Sequence, residues 1–227
     1  MDELGNYVCI EKNPESDVSV VIFSAVDCQE GDFHSVKALS HLSVNKIYVN
    51  CKENSWYLDG IPNLGFDWEQ SAINLKKLAK SITNSGNGLV LYFGGSMGGA
   101  GALLYGLYAN VDKIVSTGSE ATFFRQGGYS SFKFKGHNVF QPDWGKLVSE
   151  FSGELLMIYG DVEPIDRIAS DEFLNIHPKF RDGMYIISGY GHRVPVLISE
   201  RMGFESFIKL CLKETLLSID LSQLTLK

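Results

Sequence analysis

Short apolar runs rich in β-branched residues recur along the chain at 18–25 ("VSVVIFSA"), 46–51 ("KIYVNC"), 88–94 ("GLVLYFG"), 113–118 ("KIVSTG"), 154–160 ("ELLMIYG") and 183–189 ("GMYIISG"). Their length suits strands, and their continuous rather than alternating apolar character predicts strands buried on both faces. Between the second and third runs, Trp68, Ala72, Leu75, Ala79 and Ile82 fall at helical spacing, and Asp67 followed three residues later by Gln70 is a capping-box pattern. This predicts a crossover helix, so those two strands run parallel. Residues 97–109 ("MGGAGALLYGLYA") predict a second helix whose small residues allow close approach to the sheet, and 205–219 an amphipathic C-terminal helix. The alternation predicts an α/β fold with a mainly parallel central sheet and helices on both faces.

One connection breaks the rhythm. Residues 119–153 have no clean period but carry Phe123, Phe124, Tyr129, Phe132, Phe134, Phe140 and Trp144, too many aromatics for a solvated loop. A connection of this length in a compact domain predicts a cap or lid whose aromatics line an acceptor pocket or bury against the domain. A partner or homodimer interface is the alternative.

The chain has 227 residues, 44% of them hydrophobic, which suits one domain over 1–227 with one sizeable core. A net charge of -7 without a basic stripe argues against nucleic acid as a partner. No apolar stretch reaches the about 18–20 residues of a membrane helix, and the N-terminal stretch lacks the pattern of a signal peptide, so a cytoplasmic protein is expected. Cys9, Cys28, Cys51 and Cys211 lie far apart and form no C-x-x-C pair, so they read as buried thiols rather than metal ligands or disulfides. With no dinucleotide fingerprint and no metal-ligand spacing, no cofactor and no metal are expected.

The chemistry concentrates in "LVLYFGGSMGGAG", residues 89–101. Gly94-Gly95-Ser96-Met97-Gly98 is a G-x-S-x-G motif placed between a predicted buried strand and a predicted helix, where such a turn exposes its serine. A strand that turns at once into a helix strains its central residue, and side chains two positions away would meet the backbone; glycine at 94 and 98 removes them. The Met97 N–H, at the helix start, has no internal acceptor and can donate to an oxyanion. Phosphate binding by the glycine-rich turn is disfavoured, since the lysine of a Walker loop is missing. Downstream, "YGDVEPID" presents Asp161, Glu163 and Asp166, and "SGYGHRVP" presents His192 after the last predicted strand, flanked by flexible glycines.

With strand, serine turn, carboxylates and histidine in this order, the chain resembles the α/β-hydrolase superfamily over about residues 18–215, with a trimmed N-terminus that lacks the full set of antiparallel first strands. The resemblance implies a Ser-His-acid triad: Ser96 as nucleophile, His192 as base, and a carboxylate that fixes the imidazole tautomer. In that superfamily the acid commonly stands three residues after the glycine closing the preceding strand, which points to Glu163, with Asp161 second. Asp166, like His34, His41, His137 and His177, then falls to capping or surface roles. The second oxyanion donor comes from "SAVDCQEGDFHS", with Ala25 or Val26 supplying the N–H. More narrowly, "NSWYLDGIPNLGFDWEQS" with the serine turn resembles small bacterial hydrolase-like proteins of capsule or surface-polysaccharide biosynthesis and an acetyltransferase-like component of glycoprotein secretion. This implies a serine esterase acting on an acyl ester, foremost an acetyl ester, of a small molecule or glycan, or an O-acyltransferase, with Trp56 and Tyr57 as a platform for a sugar ring. The alternative from another class is a non-catalytic interaction module that retains the turn.

Overall fold

The computed structural model describes residues 2–134 and 140–225. Among these residues eight strands form one sheet: β1 (Asp2–Glu3), β2 (Val8–Glu11), β3 (Val18–Phe23), β4 (Asn45–Val49), β5 (Leu89–Gly95), β6 (Lys113–Thr117), β7 (Glu154–Gly160) and β8 (Met184–Ile187). Their order is β1-β2-β4-β3-β5-β6-β7-β8. From β4 to β8 every pairing is parallel, whereas β2 runs antiparallel to both β1 and β4. The antiparallel edge is thus short in its strands rather than missing.

Among the described residues, eight α-helices connect or flank the strands: α1 (Trp68–Ser81), α2 (Met97–Ala109), α3 (Tyr129–Lys133), α4 (Trp144–Glu150), α5 (Pro164–Ile176), α6 (Pro178–Asp182), α7 (Val194–Met202) and α8 (Phe204–Lys213). Two apolar clusters bury the two faces of the sheet. One gathers Val21, Tyr92 and Ile114 with α1 and α2, and the other Ile22, Leu91 and Val115 with α7 and α8. This is why the central strands read as unbroken apolar runs. The start of α1 is capped as its residues suggest: Asp67 accepts the Gln70 N–H at 2.7 Å, while Gln70 reaches back to the Phe66 N–H at 2.9 Å. The predicted C-terminal helix over 205–219 is shorter than expected. It starts behind Gly203, whose φ of 74° breaks it from α7, and ends at Lys213.

The segment 119–153 is partly ordered into helices. Glu120 lies on the connection leaving β6 and accepts the Ser130 N–H of α3 at 3.1 Å; burial pushes its carboxyl above the usual carboxylate range, against the pull of these hydrogen bonds. Trp144 in α4 is buried, donates its indole N–H to the Ala121 carbonyl at 2.6 Å and packs edge-on to Phe173 of α5. Phe123 is buried as well, and Phe124, Tyr129, Phe134 and Phe140 pack against the core, leaving Phe132 exposed. Most of these aromatics therefore serve burial against the domain. Residues 135–139, with His137, lie outside the described residues.

Among the described residues no disulfide forms, and burial pushes the Cys51 thiol up to about 11 and Cys211 to about 12. Among the described residues no helix is long and apolar enough to cross a membrane.

Candidate active site

The strand order reverses direction at β3: β4 lies on one side of it and β5 on the other. At such a switch point the loops following the two inner strands diverge and leave a crevice beyond the strand C-termini. The loop after β3 and the turn after β5 flank this crevice. A cavity of about 620 Å³ occupies it, with a wall that includes Ile22, Phe23, Ala25, Val26, His34, Phe93, Ser96, His192, Arg193 and Val196.

Ser96 joins β5 directly to α2 with φ 55° and ψ -124°, a conformation costly for a residue with a side chain. The surrounding packing enforces it. A side chain at Gly94 would overlap the Gly98 carbonyl, and one at Gly98 would overlap the Phe23 carbonyl of the neighbouring strand. The turn is held from below by the Ser96 N–H on the Thr117 carbonyl at 2.8 Å. Met97 is buried, its sulfur 3.7 Å from that of Cys51, and its N–H belongs to the first turn of α2, where a helix offers no internal acceptor.

His192 follows β8 on a glycine-bearing loop and faces the same cavity. Its Nδ1 lies 2.7 Å from Asp166 Oδ1, and the Asp166 side chain is only 3% exposed. The ring is held between two surfaces. Tyr129 of α3 stacks on it with centroids 4.3 Å apart, and on Gly118 any Cβ would approach Cε1 and Nδ1 to 3.1 Å. Gly118 also has a φ of 57°, so glycine is required there twice over. Nε2 is buried and has no hydrogen-bond partner among the described residues. With Asp166 accepting the Nδ1 hydrogen, Nε2 keeps a lone pair that can take a proton from a hydroxyl reaching it.

The carboxylate on the imidazole is therefore neither Glu163 nor Asp161. Asp161 accepts the Gly189 N–H at 2.7 Å and shapes the histidine loop, while Glu163 occupies the N-cap position of α5 without capping it through its side chain. Helix α5 starts at once with Pro164, and its first turn carries Asp166 inward to the ring.

No family model matches the chain, and no curated protein matches its sequence. Solved structures do match over nearly the whole chain. The capsule O-acetyltransferase of Neisseria meningitidis serogroup A superposes with a TM-score of 0.64 at 14% identity, covering 93% of this chain and 93% of that one. A thermophilic esterase from Thermogutta terrifontis gives 0.57 at 15% identity, covering 91% and 93%. A glycosylation associate protein complex from Streptococcus agalactiae gives 0.64 at 12% identity, covering 94% of this chain and 46% of that one. The fold is that of the α/β-hydrolases.

Within this α/β-hydrolase fold, Ser96, Ala25, Val26 and His192 share one cavity wall, whereas Trp56 and Tyr57 do not reach it. They are 1% and 0% exposed, buried in the core against α2. Positive φ at Glu53, Asn54, Trp56 and Tyr57 coils the chain inward after β4. The Tyr57 hydroxyl then donates to the Ser24 and Val49 carbonyls, and the ring packs edge-on to Phe23. The sugar platform is thus a core element. Trp56→Ala should lower unfolding stability by about 3–5 kcal/mol in urea titration, with the ratio of activities on sugar and aryl esters unchanged.

Ala25 also differs from expectation: its N–H is donated to His34 Nδ1 at 2.9 Å. His34 is exposed, as expected of a surface histidine, but it also stands on the cavity wall. A histidine on the loop that leaves the switch-point strand was the available signal for it. His177 does cap, accepting the Lys179 N–H at the start of α6. Among the described residues no three His, Cys, Asp or Glu side chains converge as a metal site would require.

Proposed function

We propose that the chain is a serine-dependent enzyme of acyl-ester chemistry, with Ser96 as nucleophile, His192 as base and Asp166 as the carboxylate that fixes the imidazole tautomer. The observation that carries this reading is a serine at φ 55° facing the same cavity as a histidine whose Nδ1 is held by a buried carboxylate. Ser96 Oγ attacks the ester carbonyl carbon and passes its proton to His192 Nε2. The carbonyl electron pair moves to oxygen, where the Met97 N–H meets it. The returning proton leaves with the alcohol, and the acyl group remains on Ser96. Hydrogen bonds of this kind tighten when substrate arrives, which suits an Nε2 without a partner in the free chain.

Asp166 does not need to accept the proton. It orients the ring and stabilises the imidazolium that forms.

The acyl group is uncharged, since the cavity wall around Ser96 carries Ile22, Phe23, Phe93 and Val196. An acetyl ester on a sugar is the substrate we favour, supported by the likeness in fold to the capsule O-acetyltransferase and the glycosylation associate protein. Water resolving the acyl enzyme makes it an esterase in a cytoplasmic setting, and a sugar hydroxyl makes it an O-acyltransferase. The second outcome is favoured by the same capsule enzyme, one structure of which holds CoA. A fluorophosphonate probe should label wild-type protein at Ser96, located by peptide mass spectrometry. Product analysis with and without a glycan acceptor then separates hydrolysis from transfer, and an unlabelled Ser96 would sink the reading.

A further inference from the structure

The loop leaving β3 holds His34 by two hydrogen bonds. Its N–H donates to Ser24 Oγ at 3.3 Å, and its ring Nδ1 accepts the Ala25 N–H at 2.9 Å. A ring nitrogen that accepts a hydrogen bond carries no hydrogen of its own, so in the neutral imidazole the hydrogen sits on Nε2. Burial holds the imidazole below its ordinary pKa and so favours that neutral form. The ring shares the cavity wall with Ser96 and His192. The Ala25 N–H, spent on His34, cannot also serve an oxygen entering the cavity.

We propose that His34 Nε2–H is the second donor to the acyl oxygen held at Ser96, acting from the β3 loop while the Met97 N–H acts from α2. This rests on the Ser96 reading. As Ser96 Oγ bonds to the carbonyl carbon, the π pair shifts to oxygen and the hydroxyl proton passes to His192 Nε2. The new negative charge then meets one N–H from each of two elements flanking the crevice. A neutral imidazole supplies its hydrogen bond without adding a fixed positive charge beside Ile22, Phe23 and Phe93. The Ala25 amide fixes the tautomer of His34, as Asp166 fixes that of His192, but with the donor and acceptor roles reversed.

Two variants separate donation from loop positioning. In His34→Asn the side-chain oxygen falls near the place of Nδ1 and keeps the Ala25 bond, but no N–H reaches the Nε2 position. In His34→Gln the amide N–H reaches that position while the Ala25 bond is lost. We expect kcat/KM on an aryl acetate, and the rate of fluorophosphonate labelling at Ser96, to fall on the order of 10²–10³-fold in His34→Asn and to recover most of that loss in His34→Gln. Wild-type rates in His34→Asn would overturn the proposal and return the role to a backbone donor such as Val26. So would the reverse pattern, with Gln slow and Asn fast, or equal losses in two variants that melt like wild type. A wild-type chain that neither turns over nor labels sinks the Ser96 reading and His34 with it, whereas rapid labelling of both wild type and His34→Asn sinks His34 alone.

Discussion

Replacing Ser96 with alanine should abolish turnover of an aryl acetate, by on the order of a millionfold, with the melting temperature at or above that of wild type. The size of the loss follows from the role: without the hydroxyl no acyl enzyme forms, and what remains is binding and a polarised carbonyl. The retained stability follows from geometry. Ser96 holds φ 55° because Gly94, Gly98 and the Phe23 carbonyl leave its backbone nowhere else to go, so the strain belongs to the turn and not to the hydroxyl. Activity within a few fold of wild type in steady-state assays would remove Ser96 from the chemistry altogether.

The second large effect is expected at Asp166. Asp166→Asn keeps the shape of the side chain but removes the charge and allows the amide to present a donor to Nδ1, so the ring is free to adopt the wrong tautomer. Turnover should fall on the order of ten-thousandfold. Glu163→Gln should leave turnover close to wild type, since Glu163 makes no hydrogen bond to the ring, and Asp161→Asn should act only through the Gly189 N–H it supports. The three variants assayed side by side on one aryl ester check the assignment: a large loss in Glu163→Gln with Asp166→Asn unaffected would overturn it.

The serine turn was legible because its requirement is steric and local: a buried strand, a helix and glycines on either side can be read from thirteen residues. The position of His192 on the cavity wall was legible for a similar reason, as that of a histidine after glycines behind the last strand. Asp166 was not. Counting from the end of β7 assumes a loop, but α5 begins at Pro164, and one helical turn carries a later carboxylate inward. Trp56 and Tyr57 were misread because the inward coil after β4 depends on four positive φ values at non-glycine residues, which leave no mark in composition. For 119–153 the aromatic excess did carry information, but about burial against the domain more than about a ligand. The Ala25 and His34 pairing depends on a ring folding back nine residues along its own loop, a contact no periodicity encodes.

The sulfur contact beneath the serine turn has a consequence of another kind. Cys51 and Met97 are oxidisable side chains in contact at this turn, and both are shut away from solvent. A thiol held to its protonated form by burial resists oxidation, and a thioether in a dry contact is reached only when the contact opens. A sulfoxide at Met97 would set a polar oxygen where the Cys51 sulfur now rests and push the start of α2 off the sheet. Oxidation at this contact would thus proceed at the pace of the protein's own transient openings, and it would disturb the backbone geometry of the serine turn.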